Sequence, residues 1–129
     1  KDVLKDIRID TRHLRFQCEH ELKSKLIAIK SAYLRTQNGA DARELLFRSC
    51  TSLLHILRNI LRLKGKVPPF EKDALVTDIE AVFAVDAGIL RTILTMKQRG
   101  EHPGYAAADA LIAELTALFE RITDSVDKG

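Results

Sequence analysis

The chain has 129 residues, of which 46% are apolar and 30% charged, enough for one domain that buries roughly two-thirds of the surface its unfolded form would expose. That balance excludes a disordered chain. No apolar run approaches the ~18 residues that a membrane span needs, and no basic segment followed by an apolar one opens the chain, so a cytoplasmic location and no membrane partner are expected. The net charge of +3 conceals a split: residues 1–66 hold 15 Lys and Arg against 7 Asp and Glu, whereas residues 67–129 hold 6 against 11. A basic first half and an acidic second half fit either a phosphate-facing surface or two helix pairs attracting one another.

Leu14, Cys18, Leu22, Leu26, Ile29 and Tyr33 recur every three or four positions and predict a first long helix, with Asp10 or Thr11 as its N-cap. The helix is expected to stop before TQNGAD, where Asn38 and Gly39 tolerate a left-handed C-cap. A second helix is predicted after Asp41, carrying Leu46, Cys50, Leu53, Leu57 and Ile60 to a stop at Gly65. The prolines of VPPFEKD break the chain and suit the approach to a third, shorter helix around Leu75, Ile79, Val82 and Phe83. Asp86 is expected to cap a fourth with Ile89, Leu90, Ile93 and Leu94, ending at QRGEHPG. The last runs from about Tyr105 with Leu111, Leu115, Leu118 and Ile122 in register. No segment has a period of two. The reading is an all-α, up-and-down bundle of the four-helix type, built from about five helices with one pair short or broken, over residues 1–129 as a single domain. Cys18 and Cys50 fall on two apolar stripes and read as reduced core thiols.

At 100° per residue, Phe16, Ile27 and Leu34 lie together on the side of the first helix opposite its main stripe, with His20 and Ser31 between them. Such a second seam is either scattered surface apolar residues or a contact for another subunit or domain.

The carboxylate pairs Glu19/Glu21 and Asp78/Glu80 lie on predicted helices, where positions two apart diverge by about 200°, so neither pair clamps one metal. His13, Gln17, His20 and Glu21 recur at offsets of three and four, but the zinc-helix signature is absent and no metal site is assigned. On the second helix Arg48, Ser52, His55, Asn59 and Arg62 share a narrow arc flanked by Arg58, which is either a solvated face or a basic wall near a phosphate-bearing ligand. An Arg followed by His after several residues is similar to the ribonuclease motif of HEPN bundles. It occurs three times here, at Arg8/His13, Arg15/His20 and Arg48/His55, with one such spacing expected by accident, so nucleic acid is not the expected partner. The chain opens on KDVLKDIRID without a methionine, as if leading out of a preceding segment.

The stretches DVLKDIRIDTRHLRFQCEHELKSKLIAIKSAYLR and LLFRSCTSLLHILRNILRLKGKVPP resemble the C-terminal region of bacterial nucleotidyltransferase-domain proteins. In these a mixed α/β catalytic domain precedes an HEPN-like helical bundle similar to the substrate-binding domain of kanamycin nucleotidyltransferase. The resemblance implies an accessory, substrate-binding bundle whose catalytic partner is an upstream nucleotidyltransferase domain. That family's Gly-Ser pair and its two metal-binding aspartates are missing, so this chain alone is expected to hold no cofactor. Mg²⁺ with a nucleoside triphosphate is implied only when the catalytic domain is present. The family's glutamate near the start of the first bundle helix, the base for the acceptor hydroxyl, maps onto Glu19 or Glu21 of CEHE. Arg15, His20, Arg48, His55 and Arg62 are the candidate substrate-binding residues. The alternative is a protein-interaction bundle of HEPN-like type without a ligand of its own, forming a homodimer through the second seam of its first helix.

Overall fold

The computed structural model describes residues 11–128, with side chains from 16 to 126. Five helices follow in order: α1 (Thr11–Leu34), α2 (Gly39–Leu63), α3 (Lys72–Phe83), α4 (Gly88–Gln98) and α5 (Tyr105–Lys128). Among the described residues there is no strand, so the expected all-α bundle is what the chain forms. The three long helices pack on one another, and α3 and α4 close the remaining side, α4 against both α2 and α5. Helix α2 touches each of the other four. That hub position explains why Ala42, Leu45, Leu46, Cys50, Leu53, Leu54, Ile56, Leu57, Ile60 and Leu61 are all buried: the stripe is wider than one neighbour needs.

The core of α1 is Cys18, Leu22 and Ile29, with Leu26 and Tyr33 half-buried. The expected core residue Leu14 and the expected N-caps Asp10 and Thr11 lie outside the side chains described. On α5, Leu115, Leu118 and Ile122 are buried as expected, but Leu111 is only half-buried and its neighbour Ile112 takes the inner position. Phe119, fully buried, was not part of the expected register. Because α5 faces both α1 and α2, its apolar arc spans more than one row, and adjacent positions 100° apart both find partners.

Glycine marks two helix ends. At the end of α2, Gly65 (φ 84°) donates to the carbonyl of Arg62 and Lys66 to that of Leu61, the paired bonds of a Schellman stop, whose left-handed residue costs least as Gly. The same pair of bonds closes α4 through Gly100. The expected left-handed cap at Asn38 and Gly39 is not formed. Asn38 (φ −154°) is instead the N-cap of α2, its side chain accepting from the Asp41 amide at 2.9 Å, while the Asp41 carboxylate accepts from the Gln37 amide at 3.3 Å. This reciprocal arrangement satisfies one amide of the first turn and the one just ahead of the cap, and it starts the helix three residues earlier than expected. The expected cap at Asp86 falls one residue early: the N-cap of α4 is Ala87, without a side-chain cap bond, while Asp86 Oδ1 accepts from the Gly88 amide at 2.9 Å just ahead of it.

The junction between α3 and α4 is held by Arg91. Its guanidinium donates to Asp73 Oδ1 (2.9 Å), Glu80 Oε1 (2.9 Å) and Thr77 Oγ1 (2.7 Å), and the second oxygen of Glu80 accepts from the Ala87 amide at 2.9 Å. The Ala87 amide first, and then Arg91, hold the Glu80 carboxyl below its ordinary range. Ala84, at the end of α3, sits in the left-handed region (φ 53°, ψ 46°) without being glycine.

Candidate functional site

Helices α1 and α2 do not close over their whole length. Between them lies a cleft of about 580 Å³ lined by His20, Glu21, Ser24, Lys25 and Ala28 from α1 and by Thr51, Ser52, His55 and Ile56 from α2. The α1 residues come from three successive turns flanking the buried stripe of Cys18, Leu22 and Ile29, so the packing that buries the stripe fixes the cleft wall. The α2 residues stand beside the buried Leu53, Leu54 and Leu57 in the same way.

Three of the candidates from sequence therefore converge: His20, Glu21 and His55. Of the two glutamates left open, Glu21 lines this cleft, while Glu19, half-buried, is not among its lining residues. Arg48 and Arg62 are not in the cleft. They stand two turns to either side of His55, exposed, with Arg48 3.4 Å from Glu44 and Arg62 donating to Asn59 at 3.0 Å. The polar line of α2 is thus a row of local pairs with only Ser52 and His55 turned toward α1. Arg58, expected at its flank, reaches away from the cleft to the carbonyls of Pro69 (2.7 Å) and Phe70 (3.1 Å). Arg15 and His13 lie outside the side chains described.

Sequence reasoning missed Ser24, Lys25 and Thr51 in the cleft, and Lys97 of α4, whose Nζ donates to Thr51 Oγ1 at 3.3 Å. Ser24 and Lys25 lie one turn beyond His20 and Glu21, and Thr51 one turn before His55, so the helical period alone could have extended the site along each helix. Lys97 has no such signal, because it arrives from a different element. Within the cleft Ser24 Oγ is 3.4 Å from His20 Nε2, and Thr51 donates its own proton to the Phe47 carbonyl at 3.1 Å, leaving its oxygen to accept from Lys97. The result is a shallow opening with one carboxylate, two imidazoles, hydroxyls and the Lys25 ammonium, with Lys97 bonded to Thr51 at its edge. Such a set can hold a hydroxyl-bearing ligand by hydrogen bonds and offers a carboxylate and imidazoles that could accept its proton.

The cysteines do not contribute reactive groups. Cys18 and Cys50 are buried free thiols. Burial pushes the Cys50 thiol up to about 11, and burial first, with the nearby Glu21 charge second, raises Cys18, so neither is a ready thiolate. Among the described residues no group of three or more His, Cys, Asp or Glu is placed to hold a metal ion, and no helix is long and apolar enough to cross a membrane.

Beside the cleft, on the outer face of α1, the second seam is open to solvent: Phe16 is 68% exposed, Ile27 66% and Leu34 83%. Comparison of the chain with protein-family models, with curated proteins and with solved structures yields no match.

Proposed function

We propose that this chain is the helical, substrate-holding module of a nucleotidyltransferase, working with a catalytic domain that precedes it. The observation that supports this reading is the meeting of His20, Glu21 and His55 in one cleft between α1 and α2, with an uncovered apolar strip on the same helix where a neighbouring domain would lie. In this arrangement Glu21 is the base that takes the acceptor's proton, and His20, Lys25 and His55 orient the acceptor through hydrogen bonds. Among the described residues no group of three or more His, Cys, Asp or Glu is placed for a metal ion. In this reading Mg²⁺ and the nucleotide are held by the upstream domain, and no step through them is assigned to this chain.

The reading frame ahead of the codon for Lys1 tests the proposal. It should encode a Gly-Ser pair followed by Asp-x-Asp, and a frame without them refutes it. In the intact protein, pyrophosphate release from Mg-ATP in a small-molecule extract should fall roughly 100-fold on Glu21→Gln, the scale of a lost general base. Glu19→Gln should leave it within about threefold, since Glu19 lies outside the cleft.

A second reading, a self-associating interaction bundle of HEPN-like type, is favoured by the same exposed strip. Phe16, Ile27 and Leu34 extend over about 27 Å of one helix face, long enough for two copies of α1 to pack against one another.

A further inference from the structure

The link between α2 and α3, residues 64–71 (KGKVPPFE), carries Val67 at 90% exposure and Phe70 at 96%, the two most exposed large apolar side chains among the described residues. The backbone beneath them is fixed. The Schellman bonds at Gly65 and Lys66 turn the chain out of α2, Pro68 and Pro69 restrict the next two φ angles, and Arg58 pins the carbonyls of Pro69 and Phe70 at 2.7 and 3.1 Å. Arg58 itself rises from a helix whose neighbouring Leu57 and Ile60 are fully buried. The loop is thus built to hold Val67 and Phe70 out in water, when a slack link would fold them back.

The charges around them are mostly positive. From Arg62 to Phe70 the sequence holds Arg62, Lys64 and Lys66 and no carboxylate, with Arg62, Lys64 and Lys66 all exposed. Exposed Glu71 and Lys72 follow, and Asp73 is engaged by Arg91, so Glu71 stands against the four cations Arg62, Lys64, Lys66 and Lys72.

We infer that this loop docks on an anionic lipid surface, dipping Val67 and Phe70 into the headgroup layer while Arg62, Lys64, Lys66 and Lys72 meet the lipid charge. This is a surface contact and not a span, and it stands independently of the reading of the cleft. Two apolar side chains and two prolines cover far less than the roughly 800 Å² per partner that a specific protein complex removes from water. A lipid interface needs only shallow apolar insertion combined with cation attraction.

The chain contains no tryptophan, so Phe70→Trp places a single reporter at the tip. Vesicles of phosphatidylcholine with an equal share of phosphatidylglycerol should shift its emission to the blue and saturate, pure phosphatidylcholine should not, and added salt should reverse the shift. Lys64→Gln with Lys66→Gln should weaken partition roughly 30-fold. The unsubstituted protein should co-float with the anionic vesicles, and Val67→Ser with Phe70→Ser should abolish this, which separates the loop's own affinity from that of the indole. An unsubstituted protein that stays behind at millimolar lipid overturns the proposal. So does equal binding to uncharged vesicles, or flotation that survives the double serine variant.

Discussion

Replacing Arg91 with Met and Glu80 with Gln, singly and together, isolates the bond that holds α3 to α4. The two side chains are 35% and 27% exposed and meet at 2.9 Å, so their pairing lies between a surface ion pair, worth about 0–1 kcal/mol, and a charged hydrogen bond sheltered from water, worth about 1.5–3 kcal/mol. The Asp73 contact counts at the surface value because that carboxylate is 72% exposed. Arg91→Met should therefore cost about 2–3 kcal/mol in total, and the cycle should return a coupling of about 1–2 kcal/mol at pH 7. Glutamine at 80 keeps an oxygen for the Ala87 amide, so the helix start is not lost with the charge. The Glu80 carboxyl is held below its ordinary value of 4.5 by the Ala87 amide and by Arg91. Its stabilisation is thus complete above about pH 5 and fades as the pH falls through the lower folded-state value. Urea unfolding followed by circular dichroism at both pH values measures the cycle. A coupling under about 0.3 kcal/mol at pH 7, or one that persists unchanged at pH 3, would refute the reasoning.

Leu22 is fully buried on α1, and Leu22→Ala should cost about 2–5 kcal/mol through lost burial and a residual cavity; urea unfolding decides, and a loss under 1 kcal/mol would mean the α1 interface is loose. Ala84 occupies a left-handed position that disfavours any side chain, so Ala84→Gly should stabilise by about 0.5–1 kcal/mol and raise Tm by about 4 °C; a lower Tm would contradict this. Cys50, buried and with its thiol raised to about 11, should react with Ellman's reagent at pH 8 only as fast as the fold opens, whereas prompt labelling of the native protein would show a breached core. If the bundle pairs through α1, light scattering should show a dimer at high micromolar concentration that Ile27→Lys converts to a folded monomer; a monomeric wild type, or unfolding of the variant, removes the self-associating reading.

Helix content and order were legible because each helix buries a stripe against neighbours, and a stripe is a property of one segment. The ends at Gly65 and Gly100 were legible for a similar reason, since a left-handed stop has a residue preference of its own. Asn38 misled because asparagine serves at both kinds of helix end. The deciding signal was Asp41, three residues on, which reciprocates the cap. The half-exposure of Leu111 and the burial of Ile112 depend on two partner helices at once and are invisible to a single-stripe reading. The cleft was half legible: His20, Glu21 and His55 stood out by type, but their meeting depends on the register of α1 against α2, which neither periodicity contains. Arg91 went unread although Asp73, Thr77 and Glu80 recur at four and three positions along one face of α3, a polar row that called for a cation opposite it.

The hub position of α2 has a consequence for how such a chain can change over time. Most of its circumference is committed to four neighbours, so a substitution there disturbs several interfaces together. The row Arg48, Ser52, His55, Asn59 and Arg62 is the arc left free to vary, and the cleft edge lies within it. New ligand preferences can therefore arise along that row, one residue at a time, while the helix that organises the whole fold stays unaltered on its other sides.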